Sequence, residues 1–150
     1  MWLLLHLGAL AGIAWFDFKS RLIPLVLYMA AFVLAGIHLY QNLWQWPMVV
    51  VNVGIGLLQI AMVALWLKVR NRRLDFFNDA FGWGDVLMML LLAFYLMPLQ
   101  YLFFIIVSCL LSTAFAIIIK RRTGEEGLTI PLAGIMAVLL MFYQGYLFIT

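Results

Sequence analysis

Six acidic residues punctuate the chain: Asp17, Asp75, Asp79, Asp85, Glu125 and Glu126. Four of them sit among basic residues in polar stretches and read as solvated loop charge. Asp17 and Asp85 differ. Asp17 closes a 15-residue apolar run, Trp2 to Phe16, which as a helix spans about 22 Å. Asp85 opens the uncharged run Asp85–Met97 and follows Gly82-Trp83-Gly84. A carboxylate at the edge of an apolar stretch must find a partner, and such residues are functional hypotheses by default. Each either caps a helix, pairs with a nearby arginine, or does chemistry. If the two meet about 3 Å apart, they cannot both ionise easily and share a proton. One then acts as a general base on water and the other as a general acid on a scissile carbonyl, which is aspartic-protease chemistry. Such a pair titrates as a unit.

Gly82 and Gly84 flank Trp83 just before Asp85. Glycine admits backbone conformations closed to other residues and lets another chain approach closely. A glycine-rich helix entrance makes room for an extended peptide; a plain loop-to-helix transition fits the same residues. Other catalytic sets are weak. There is no His-Glu-x-x-His and no Gly-x-Ser-x-Gly. His6 and His38 map to the end away from the acids and read as structural. Ser20, Ser108 and Ser112 have no histidine nearby in the expected layout. Cys109, in the middle of an apolar segment, reads as a small apolar filler. The single cysteine excludes an internal disulfide and a multi-cysteine zinc site. No metal ligand set and no cofactor motif is present.

The elements that must position these acids are set by composition. Hydrophobic residues make up 68% of the 150 residues and charged residues 10%, with a mean hydropathy of +1.14. A soluble globular domain, a disordered chain and a disulfide scaffold are all excluded, and the lipid bilayer is the expected solvent. A spanning helix needs about 20 mostly apolar residues, and six candidates fit: roughly 2–18, 22–40, 47–67, 80–97, 99–119 and 129–149. The fourth is short, and Pro98 reads as a loop or a helix start. The nine basic residues all fall between segments 1 and 2, 3 and 4, or 5 and 6. Those loops share one side, the cytoplasmic one by the excess of Lys and Arg, which leaves both termini outside. The net charge of +3 therefore reflects membrane orientation rather than nucleic-acid binding. Trp2, Trp44 and Trp46 fall at outer ends and Trp15, Trp66 and Trp83 at inner ends, an aromatic belt at each interface. The first segment has its basic residues after its apolar core, so it reads as a retained helix rather than a cleaved signal.

Asp17-Phe18-Lys19-Ser20-Arg21-Leu22-Ile23-Pro24 resembles the first motif of type IV prepilin peptidases, in which a catalytic Asp precedes Ile-Pro by six and seven residues. Gly82-Trp83-Gly84-Asp85 resembles their GxGD motif. Ile130-Pro131-Leu132-Ala133-Gly134 resembles the start of their last helix. The chain departs from the family at Leu25, where Asn usually follows Ile-Pro, and at Leu87, where Lys usually stands two residues after the GxGD aspartate. It also lacks the cysteine-paired N-terminal region of many bacterial members, so it resembles the short stand-alone form and N-methylation is not implied.

The resemblance implies an all-α polytopic membrane protein of about six helices, residues 1–150 forming one membrane-embedded peptidase domain in a bacterial or archaeal cytoplasmic (inner) membrane. It implies an aspartic endopeptidase that removes the basic leader of type IV prepilins or pseudopilins at the cytoplasmic face, with no metal or organic cofactor and no nucleic-acid partner. Asp17 and Asp85 would be the catalytic pair. Gly82, Gly84, Ile23, Pro24 and Pro131 would shape the substrate site, and Asp75, Asp79, Glu125 or Glu126 would meet the basic leader. Two other readings stand beside it: a catalytically degenerate membrane subunit of a pilus or secretion assembly, and a small proton-coupled transporter using the same two acids.

Overall fold

The computed structural model describes residues 2–20, 22–70, 82–123 and 131–149. Among these there are six α-helices and no strand: α1 (Trp2–Ser20), α2 (Leu25–Gln41), α3 (Trp46–Arg70), α4 (Trp83–Leu92), α5 (Pro98–Thr123) and α6 (Leu132–Ile149), with a short 3-10 turn at Leu43–Gln45 before α3. The all-α expectation holds. Pro24 stands just before α2 and Pro98 opens α5, positions where the missing N–H costs nothing. Gln100 reaches back to accept a hydrogen bond from the Met97 N–H (3.2 Å) and closes the start of α5.

α6 is the centre of the packing. It lies most extensively against α1 and also meets α5 and α4, while α1 packs on α2. Leu10 and Ile13, Ala31 and Ala35, Met88, Leu91 and Leu92, and Met136, Ala137 and Leu140 form one continuous buried core. Three of these, Ala31, Ala35 and Ala137, are alanines, which let helix backbones approach closely. Gly56 serves the same end between α3 and α5: a Cβ there would lie 2.6 Å from the hydroxyl of the buried Tyr101.

The fourth segment departs most from expectation. The short segment 80–97 predicts one helix, but α4 stops at Leu92 after 10 residues, about 15 Å, half of the roughly 30 Å that a bilayer-spanning helix must cover. Residues 93–96 turn back towards α5. Carbonyls freed by such a break need partners inside the protein. Asn52, completely buried on α3, supplies them: its Nδ2 donates to the carbonyl oxygens of Ala93 (3.2 Å) and Leu96 (2.6 Å).

Two stretches are long and apolar enough to cross a membrane, Leu43–Trp66 and Pro98–Ile119. Both turn most of their surface outward, with Val50, Leu57, Leu58 and Met62 exposed on one and Phe103, Ile106, Leu110 and Ile117 on the other. Core helices of a water-soluble protein would bury these faces. Phe115 of α5 meets the ring of Phe18, next to Asp17, edge to face at 5.7 Å. From that level α5 continues to Thr123, about 12 Å further.

Candidate active site

Asp17 lies in the last turns of α1 and is buried. A carboxylate in that position must be met by hydrogen-bond donors. The first amides of α6 meet it. The Gly134 N–H donates to Asp17 Oδ2 at 2.6 Å. Those amides are free because the opening turn of a helix has no internal acceptors, and they carry the positive end of the helix dipole. Gly134 is required by this approach. A Cβ there would stand 2.9 Å from Asp17 Oδ2 and 3.2 Å from both Asp17 Cβ and Phe18 Cε2.

Asp85 reaches the same helix end. It occupies the first turn of α4, where its Oδ2 accepts a hydrogen bond from the Gly82 N–H (3.2 Å) and caps the helix. Its Oδ1 accepts from the Ala133 N–H at 2.8 Å. The capping bond and the bond to α6 therefore use different oxygens of Asp85. Ala133 and Gly134 are consecutive, so the bonded oxygens of the two carboxylates lie within about 9 Å of each other. One short stretch, Pro131-Leu132-Ala133-Gly134, thus gathers acids from α1 and α4. Pro131 is fully buried, and its carbonyl starts α6 by accepting from the Ile135 N–H at 3.2 Å.

α2 completes the surround. Ile23 and Pro24 turn the chain from α1 into α2, and Ile23 lies against Gly84, where a Cβ would stand 3.4 Å from Ile23 Cδ1 and 4.0 Å from Ala133 Cβ. Tyr28, one turn into α2, is buried and donates its hydroxyl to the Gly84 carbonyl at 2.7 Å. The hydroxyl stands in the electrostatic field of both Asp17 and Asp85. Gly82 and Trp83 are exposed at the mouth of this arrangement.

The structure thus brings together Asp17, Asp85, Gly82, Gly84, Ile23, Pro24 and Pro131. It leaves the other candidates elsewhere. His6 and His38 flank the ring of Tyr95, with centroids at 4.8 and 5.4 Å, and tie α1 and α2 to the turn after α4. Cys109 is exposed rather than filling the core, because that face of α5 points outward. Asp75, Asp79, Glu125 and Glu126 lie outside the described residues. Leu25 faces outward and Leu87 packs against the core. A cavity of about 650 Å³ opens at the opposite end, lined by Trp44, Tyr95, Gln100 and Gln144 among others, and neither Asp17 nor Asp85 reaches it. Among the described residues no three His, Cys, Asp or Glu side chains cluster as a metal site would need.

Sequence reasoning missed Tyr28, Asn52 and the role of the two α6 amides. Only the amides left a signal: a proline followed by small residues marks a helix start whose N–H groups can be approached closely.

The sequence profile of the type IV leader peptidase family matches residues 4–117, a stretch that includes both acids, Ile23-Pro24 and Gly82–Asp85. The chain belongs to the type IV leader peptidase family. No curated protein and no solved structure matches it. The amides of α6 lie beyond the matched residues, so this leader peptidase family member holds both acids of its matched region with a segment outside that region.

Proposed function

We propose that this chain is an aspartic endopeptidase that cuts the basic leader from type IV prepilins or pseudopilins at the cytoplasmic face of a membrane. The observation that carries the reading is the gathering of Asp17 and Asp85 by adjacent amides of α6. Two carboxylates sharing one proton divide the work of hydrolysis. The ionised one takes a proton from water as the water oxygen bonds to the peptide carbonyl carbon. The protonated one gives its proton to the carbonyl oxygen, forming a neutral gem-diol. Collapse breaks the C–N bond, and the nitrogen leaves with a proton returned from the pair. The α6 amides stabilise whichever carboxylate is charged.

In this reading the helices lie in the membrane, α4 reaching only part-way across it, with the basic loops in the cytoplasm, both termini outside, and the whole chain acting as one domain. The outward apolar faces of α3 and α5 meet lipid. The exposed rings of Trp44 and Trp46 at one end, and of Trp15, Trp66 and Trp83 at the other, sit at the two interfaces. Exposed Gly82 offers the side from which an unwound peptide would reach the acids. No cofactor takes part.

The test is co-expression with a prepilin from the same genome, with leader loss followed by mass spectrometry. Cleavage by the wild type and none by Asp17→Asn or Asp85→Asn is the expected result. Cleavage surviving both substitutions refutes the assignment of the pair.

A further inference from the structure

We infer that Tyr28 is a positioning residue that fixes Asp85 for catalysis by tying α2 to the first turn of α4; the inference rests on the peptidase reading above. Three observations meet at its hydroxyl. The side chain is only 2% exposed, so its one polar group must find a partner inside the protein. The partner is the Gly84 carbonyl, 2.7 Å away, on the residue immediately before Asp85. The neighbouring space is bare backbone, because Gly84 has no side chain; a Cβ there would sit 3.4 Å from the Tyr28 oxygen.

The mechanical consequence follows from connectivity. Asp17 is held to α6 through Gly134, and Asp85 is held to α6 through Ala133. Neither bond ties α4 to the Ile23-Pro24 corner that follows Asp17. Tyr28 does so, four residues after Pro24. With its O–H directed at the Gly84 carbonyl, the hydroxyl acts on Asp85 through where it holds the backbone. Reacting groups need placement within about 0.5 Å, and a misplacement of about 1 Å can cost two orders of magnitude in rate. Loosening one backbone bond beside Asp85 is a smaller disturbance, and about a tenfold loss is the expected scale.

Tyr28→Phe removes one oxygen and leaves the packed ring. The measurement is made on the solubilised full chain, with a prepilin-type substrate and an inhibitor whose secondary hydroxyl mimics the tetrahedral intermediate. The expected result is kcat about tenfold lower, KM unchanged, and inhibitor Ki raised by about the same factor. Hydrogen exchange of the Trp83–Met88 amides should also rise. A merely structural role would reduce the number of active molecules, so the apparent kcat would fall while Ki stayed fixed; that result overturns the inference, as does no change in either. If the wild type neither cleaves nor binds the inhibitor, the peptidase reading fails separately. Exchange then decides the tether: faster exchange in Tyr28→Phe sustains it, and unchanged exchange overturns it.

Discussion

Gly134→Ala is the sharpest test of how the two acids are held. The new Cβ would lie 3.2 Å from Asp17 Cβ and Phe18 Cε2 and 2.9 Å from Asp17 Oδ2. Carbon atoms pack comfortably at about 3.5–4.0 Å, so α1 and α6 must part by about half an ångström, or Asp17 must swing away. Neither movement is easy, since Asp17 and Gly134 are both buried and α1 against α6 is the most extensive interface in the bundle. Overpacking of this kind costs about 1–3 kcal/mol. The Gly134 N–H···Asp17 bond, now 2.6 Å, stretches with it, and a hydrogen bond to a charged group contributes about 1.5–3 kcal/mol. Taking the lower ends because the two losses overlap, the expected destabilisation is about 2 kcal/mol, with cleavage reduced at least tenfold. Thermal unfolding in detergent reads the first and leader release from a prepilin-type substrate reads the second. Gly145→Ala is the control on the same helix, where a Cβ meets nothing within 4 Å; it should be neutral or slightly stabilising. If Gly134→Ala matches the control in both assays, α6 does not grip Asp17 in the way described.

Asn52→Leu leaves the Ala93 and Leu96 carbonyls without their side-chain donor and should lower stability by about 1–2 kcal/mol; an unchanged melting temperature would mean the break after α4 is held by something else. Gly56→Ala should destabilise because its Cβ meets the Tyr101 hydroxyl at 2.6 Å, and Tyr101→Phe should relieve much of that loss. The coupling of those two substitutions is read as a double-mutant cycle, and strict additivity would contradict the close approach of α3 and α5. Leu25→Asn and Leu87→Lys should leave the loss of cleavage in Asp17→Asn and Asp85→Asn untouched, since neither residue bonds to the acids; restored cleavage in such a double variant would refute the assignment of the pair.

Some of this was legible in the residues and some was not. Apolar runs of helical length give α1, α2, α3, α5 and α6 within a few residues, because hydropathy alone decides which stretches avoid water. The same rule fails for α4. The run after Asp85 is apolar as far as Met97, and nothing in it announces a stop at Leu92; the stop is possible because Asn52, far away in sequence, accommodates the broken end. Asp17 and Asp85 stand out because a carboxylate in an apolar setting is costly. The bonds that hold them do not stand out, because they come from backbone N–H groups, which every residue but proline carries. Tyr28 is invisible for a related reason: a tyrosine in an apolar helix looks like packing until its hydroxyl is seen to have an acceptor.

Holding both carboxylates by backbone amides of α6 has a physical logic. A lysine or arginine beside the pair would meet the charge more strongly, but it would hold both carboxylates ionised and leave no acid to protonate a carbonyl. Helix-end amides are weaker and fixed. They stabilise one negative charge on the pair without compelling a second, which is the protonation state that hydrolysis by two carboxylates requires. The first turn of α6 carries only apolar or small side chains. At α6 the carboxylates meet backbone dipoles, an arrangement that suits the proton movement between two acids in the proposed hydrolysis.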